Sequence, residues 1–278
     1  MFTSNLNDKK RYLNGLISYI IIFFFVNIIV SQLIQTSFIS YYNLDIDIFK
    51  EIISSTDYSY YLSDIFLDTQ YYYTTTIILK MSSIINLITY IILLITFIFI
   101  YLKDFKNDFD VFTQIDVVEN KSSNFIKTCG KWLLIYYFFN YLIGVVTLIL
   151  NNLFKIDSSQ NQIIIELALK YSAIPMIISA GLIGPLVEEL IFRKSIFGLF
   201  ENKKIALVVS TISFSVIHIL SSIGMGYNLI QLLVMLIPYV SAGALFGFIY
   251  IKTNYNIYYV TLIHMFSNLL AIILLLLS

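Results

Sequence analysis

Charge is scarce in this chain. Only 12% of its 278 residues are Asp, Glu, Lys or Arg, against about 25% in soluble domains, while 59% are hydrophobic and the mean hydropathy is +0.84. An ordinary water-soluble globule is excluded. Net charge is absent too, since 17 cations meet 17 anions, which excludes both a basic nucleic-acid binder and a highly charged disordered chain. Cysteine occurs once, at Cys129, so no internal disulfide forms and the thiol says nothing about redox compartment. Proline occurs at positions 175, 185 and 238, all inside apolar runs, and histidine occurs twice. No internal repeat or low-complexity linker is present. The abundance of Ile, Asn, Lys and Tyr suits an AT-rich bacterial genome.

Long apolar runs take the place of what is missing. Spanning roughly 30 Å of hydrocarbon takes about 20 apolar residues in a helix, and seven apolar runs approach or exceed that length: Leu13 to Ile34, Met81 to Leu102, Trp132 to Leu150, Tyr171 to Arg193, Ile205 to Ile223, Leu229 to Ile251 and Ile257 to Leu277. The expected fold is an all-α polytopic transmembrane bundle of about seven helices. The first run follows Lys9, Lys10 and Arg11 like a signal peptide, but it is too long and lacks a small-x-small cleavage site, so it reads as a retained helix. Alternate loops hold thirteen of the seventeen cations, leaving Lys50, Lys80, Lys155 and Lys170 opposite. Cytoplasmic loops carry the excess, so the expected topology has the N-terminus inside and the C-terminus outside.

Two connecting segments have character of their own. Asn43 to Lys80, on the outer side, carries six acids and the tyrosines Tyr58, Tyr60, Tyr61 and Tyr71 to Tyr73, which suit an interfacial aromatic belt. On the inner side Phe105, Phe109, Phe112 and Ile115 recur at helical spacing among Asp104, Lys106, Asp108 and Asp110, the pattern of an interfacial helix lying on the membrane. Ser241, Ala242, Gly243, Ala244 and Gly247 form a small-residue stripe on the sixth run, which lets helices approach closely. Packing within the same chain is its expected use.

The informative charges lie inside the spans, where each costs about 2.5 to 3.5 kcal/mol at the helix centre on insertion scales. The fourth run ends with Glu188, Glu189 and Arg193 within six residues. Glu189 and Arg193 are four apart and share a helix face, so they are expected to pair, while Glu188 is turned about 100° away and faces something else. Both histidines also lie in spans, His218 on the fifth, following Phe214, and His264 on the seventh, followed by Asn268 on the same face. Convergence of these groups removes them all from lipid. A carboxylate with one or two imidazoles can activate water, directly or through a bound Zn²⁺ held by His218, His264 and Glu188, and Asn268 can donate to a developing oxyanion.

Glu188-Glu189-x-x-x-Arg193, Phe214-x-x-x-His218 and His264-x-x-x-Asn268, in that order on successive helices, resemble the three motifs of the CPBP intramembrane proteases, which include CAAX proteases and bacteriocin-processing or Abi proteins. The resemblance covers about residues 171 to 278; residues 1 to 170 carry none of these motifs. It implies a catalytic Glu188, His218 and His264 on the water or metal, Asn268 at the oxyanion, and Glu189, Arg193 and Phe214 as supports. Lys194 stands where relatives often have glycine. It further implies a four-helix catalytic membrane domain at 171–278 behind a three-helix N-terminal membrane region at 1–170.

The candidate ligands are spread over three helices, without the compact His-Glu-x-x-His pattern, so the expectation is water activated by Glu and His with no cofactor, Zn²⁺ being the alternative. The expected function is an intramembrane endopeptidase cutting a peptide or membrane-anchored protein, in contact with the lipid bilayer of a bacterial cell membrane and without nucleic acid. A non-catalytic bacteriocin-immunity or scaffold protein of the same fold is the alternative, and a proton-relaying transporter a third. Depth arithmetic at 1.5 Å per residue brings Glu188 and His264 level but leaves His218 too far out unless its helix runs from about Val208 to Tyr227, or tilt or a break at Gly184-Pro185 closes the gap. It places the cavity in the cytoplasmic half, reached by water from inside.

Overall fold

The computed structural model describes residues 6–55, 58–67, 69–117, 122–156, 160–223 and 227–277. Among them every regular element is helical, and seven helices are long and apolar enough to cross a membrane, as the apolar runs predicted. The protein is an integral membrane protein. Its elements are α1 (Leu6–Tyr42), the short α2 (Ile46–Ser54), α3 (Gln70–Val117), α4 (Ser122–Phe154), α5 (Gln160–Tyr171), α6 (Ala173–Leu199), α7 (Lys203–Ile219), α8 (Leu229–Lys252) and α9 (Ile257–Leu277).

Helix α3 outruns its apolar core at both ends. The segment expected as an interfacial helix is its continuation, and two of its acids, Asp104 and Asp108, find partners rather than solvent. Asp104 pairs with Arg11 of α1, Nε to Oδ2 at 2.8 Å, and accepts from Arg11 Nη2 at 3.2 Å, and Asp108 receives the Lys194 ammonium at 2.7 Å. Asp108 also accepts the Ile257 N–H at 3.2 Å, and its carbonyl accepts from Asn256. Phe105 and Phe109 lean on Tyr258, with ring centroids 6.4 and 5.8 Å apart; the side chains of Phe112 and Ile115 lie outside the described residues. At the other end Tyr61 and Tyr71 stack at 5.6 Å and both donate to Glu51 of α2. With Phe49, Ile52 and Ile78 they form a small apolar cap. These two tyrosines therefore pack inward, whereas Tyr60 and Tyr73 keep the exposed positions of a belt.

The main core gathers side chains of α1, α3, α6, α7, α8 and α9 around Tyr19, Phe97, Val187, Phe192, Phe214 and Phe246. Two of the glycines that permit close approach seat one helix on another. A side chain at Gly198 would overlap the ring of Tyr12, and one at Gly247 would meet Leu207 Cδ1 at 2.5 Å. The first seats α1 against the end of α6; the second, with Gly243 against Phe214 and Thr211, uses the small-residue stripe of α8 to receive α7. Helix α4 is peripheral, with Leu134, Phe138 and Leu148 exposed, and reaches the core through the buried Trp132 and through Tyr136, whose ring stacks on Phe246 at 4.9 Å. Side-chain caps start the helices that follow turns. Asn202 accepts from the N–H groups of Lys204 and Ile205, and Asn228 forms a capping box with Gln231, each cap being worth about 1 kcal/mol.

Candidate active site

Helix α6 is irregular where the chemistry lies. Pro185 has no N–H, and its ring crowds the carbonyl four residues back. The helix widens to π geometry over Ile177–Ile183, returns to α over Gly184–Glu189 and widens again over Leu190–Ser195, a feature frequent at functional sites. In the first wide stretch the Gly184 N–H reaches back five residues to the Ser179 carbonyl. In that register the Ala180 carbonyl would be served by residue 185, which is proline. Asn268 of α9 supplies the missing donor, its Nδ2 lying 2.9 Å from Ala180 O. The second wide stretch is closed by Ser195, whose hydroxyl donates to Leu190 O at 2.8 Å.

This geometry separates the two glutamates. Glu189 and Arg193 are sealed, with no side-chain exposure, and Arg193 Nε approaches Glu189 Oε2 at 3.1 Å. The contact is an ion pair without hydrogen-bond alignment. Arg193 also donates to Ser210 Oγ at 2.9 Å, and its guanidinium carbon lies 5.1 Å from the Phe214 ring centroid. The other oxygen of Glu189, Oε1, is 2.9 Å from His264 Nδ1. Glu188 keeps 13% of its side-chain surface exposed and points into a cavity. Its Oε1 accepts from Tyr90 of α3 at 3.3 Å. Its Oε2 lies 3.8 Å from His264 Nε2 and 3.9 Å from His218 Nε2.

The imidazole tautomers follow from their partners. His218 Nδ1 lies 2.7 Å from the Phe214 carbonyl, which can only accept, so this nitrogen carries the hydrogen. His264 Nδ1 faces the carboxylate paired with Arg193 and donates likewise. Both rings therefore turn an Nε2 lone pair toward Glu188. Aromatic rings hold them there: Phe246 stacks on His264 at 4.2 Å, and Tyr239 on His218 at 4.8 Å.

All three helices carrying the predicted residues thus converge, although α7 begins at Lys203 and ends at Ile219 rather than sliding outward. Glu188, His218 and His264 face one another. Asn268 lines the same cavity, with its amide engaged on Ala180. Glu189, Arg193 and Phe214 support from behind. Tyr90, Tyr239 and Phe246 were missed; nothing in their spacing distinguishes them from the other aromatics of the spans. Lys194, the departure from the motif, is buried and paired with Asp108 at 2.7 Å and Asp104 at 3.7 Å.

The donor set is wider than a zinc site. Four ligands at 2.0 to 2.1 Å in a tetrahedron lie about 3.4 Å apart, and among the described residues no group of three or more His, Cys, Asp or Glu is arranged to hold a metal. The three groups do not fit a zinc ion in this arrangement. The cavity above them, about 660 Å³, runs away from the cation-rich end of the bundle toward α2 and α5, where Ile53, Tyr58 and Gln162 line it. The expectation of a cavity in the cation-rich half is corrected. Helix lengths give the height of each residue but not which side the neighbouring helices leave open.

Known proteins share this region. The chain is 33% identical over 102 residues to an uncharacterized protein of Mycoplasma capricolum and 34% identical over 89 residues to the UPF0177 protein YxdF of Lactococcus lactis. These stretches are 37% and 32% of this chain, and the chain spans 28% and 44% of the lengths of these relatives. No solved structure matches. Residues 170–270 match the family described as type II CAAX prenyl endopeptidase Rce1-like. The part of the chain that brings Glu188, His218 and His264 together is therefore a domain of the Rce1-like type II CAAX prenyl endopeptidase family.

Proposed function

We propose that the chain is an intramembrane endopeptidase that hydrolyses a peptide bond in a membrane-associated peptide or protein. The observation that carries this reading is the approach of two imidazole Nε2 atoms to one carboxylate oxygen, at 3.8 and 3.9 Å, on the floor of a cavity. These gaps are too long for direct hydrogen bonds and suit a water molecule seated over all three atoms.

Proton counting gives the steps. Three acceptors face a water that has two hydrogens, and one further proton, on Glu188 or on an Nε2, would pair all three. With that proton on His264, Glu189 balances the imidazolium through Nδ1, as a carboxylate does behind a catalytic histidine. Glu188 then takes a proton from the water as its oxygen bonds to the carbonyl carbon. The oxyanion receives the imidazolium hydrogen bond and, from the far side, the second N–H of Asn268. Glu188 returns the proton to the departing amine and the C–N bond breaks. Tyr90 holds Glu188 Oε1 so that Oε2 faces the water.

In this reading residues 171–278 are the catalytic membrane domain and residues 1–170 an N-terminal membrane region. The cation distribution supports a cytoplasmic N-terminus and an outer C-terminus, in the cell membrane of a bacterium. Comparing membrane peptidomes of strains carrying the wild-type and Glu188→Gln proteins tests the function. An uncleaved substrate should accumulate in the variant at unchanged protein level. Identical peptidomes with the biological phenotype retained would sink the reading and favour a scaffold. Stoichiometric zinc in the purified protein, with reversible loss of cleavage on chelation, would replace the water-only chemistry.

A further inference from the structure

Where the cavity lies in the bundle says which way a substrate can come. On α6 its wall is made by Met176 and Ala180, N-terminal to Glu188, and on α9 by residues from His264 to Leu275. The two helices are antiparallel, so both sets lie on the same side of the site. Helix α1 contributes Asn27, Ser31 and Gln35, at intervals of four, and α3 contributes Ser82 and Asn86. The exposed positions of this stretch are Ile28, Ile29 and Leu33 with Gln32, Thr36 and Ser37. Asn27, Ser31 and Gln35 are on the half-buried face and line the cavity.

Polar side chains in a span are costly unless they meet a partner or water. Ser31 donates to Asn27 at 3.0 Å and Asn86 to Ser179 at 3.3 Å. These bonds leave most of the amide capacity of Asn27 and Asn86 unused, since each primary amide carries two donors and an acceptor with two lone pairs. A hydrocarbon tail in this cavity would bury those groups unsatisfied. A polypeptide backbone offers an N–H and a C=O at every residue and matches them. From Tyr19, beside Glu188, to Gln35 the rail rises about 24 Å, the length of about seven residues of extended chain.

We propose that substrate reaches Glu188 from the end of the bundle opposite Lys9 to Arg11, as an extended, unlipidated peptide segment held by the polar side chains of α1 and α3. The proposal rests on the hydrolase reading for what happens at the cavity floor, while its test does not depend on cleavage.

Because Cys129 is the single cysteine, Cys129→Ala gives a cysteine-free background for Ser31→Cys, for Ser82→Cys and for a lipid-facing control, Ile29→Cys. In sealed vesicles whose sidedness is scored with an N-terminal tag, a membrane-impermeant trimethylammonium methanethiosulfonate should modify the two cavity cysteines at least tenfold faster from the side opposite the tag. It should also modify them faster than the control. Modification from the tag side alone, or no faster than the control, overturns the route. In detergent micelles, a maleimide-capped Gly-Ser-Asn-Gly-Ser peptide should outpace farnesyl maleimide at Ser31→Cys by at least tenfold once each is normalised to Ile29→Cys. The reverse preference overturns the peptide assignment and makes the cavity an isoprenoid site. Unchanged peptidomes in Glu188→Gln together with the expected labelling would refute the hydrolase and leave the route standing.

Discussion

The two ends of α6 treat buried charge in opposite ways. Toward the cavity, Glu188 is left with one carboxylate oxygen facing two lone pairs. One turn and a half later, Lys194 is enclosed by Asp104 and Asp108 of α3, with Arg11 of α1 completing the group. Between them Glu189 and Arg193 are sealed together. A charge persists in an apolar bundle when it is paired or wet, and a single helix supplies both cases within seven residues. The paired end joins the two regions of the chain; the wet end is where a reaction can occur.

Removing a partner from the sealed pair should have the largest structural effect. Glu189→Ala leaves Arg193 uncompensated and frees His264 Nδ1, so unfolding stability in detergent should fall by about 3–5 kcal/mol. A variant as stable as the parent would mean that the pair adds nothing. The Lys194 clamp should matter less. Lys194→Met should cost about 1–3 kcal/mol, and a double-mutant cycle with Asp108→Asn should show the two changes coupled; additive losses would separate the two regions. Tyr90→Phe should lower kcat about tenfold, about 1.4 kcal/mol, with KM unchanged, and an equal fall in binding instead would make Tyr90 a substrate contact. The smallest effect belongs to the exposed contact between Lys9 and Glu201 at 2.8 Å. Its hydrogen bond from Lys9 holds the Glu201 carboxyl below the usual carboxylate range. Any stability it adds is present at neutral pH and is lost as pH falls through the folded-state pKa. Lys9→Ala should leave the thermal midpoint unchanged, and a clear drop would place this contact among the clamps.

The apolar runs made seven helices legible, and the rarity of ionisable groups in them singled out Glu188, Glu189, Arg193, His218 and His264. Longer-range facts were hidden. Asp104 and Asp108 look like a solvated face until Arg11 and Lys194 are known to lie opposite. Tyr90 is one of 22 tyrosines, and only folding selects it. The engagement of Asn268 on Ala180 O follows from Pro185 combined with a widened helix, and the register of that widening is a property of packing. Asn27 and Ser31 stood in the first apolar run at helical spacing, with Gln35 just past its end. The three carry no charge, which is why a search for charges passed over them.

The central claim is that Glu188 activates water for peptide hydrolysis, and oxygen labelling tests it most directly. Purified protein in lipid nanodiscs is incubated in H₂¹⁸O with a peptide extract of membranes from a strain lacking the protein. New peptide C-termini carrying ¹⁸O should appear with the wild-type chain and fall about 10²- to 10⁴-fold with Glu188→Gln. Equal incorporation by the two proteins would contradict the account.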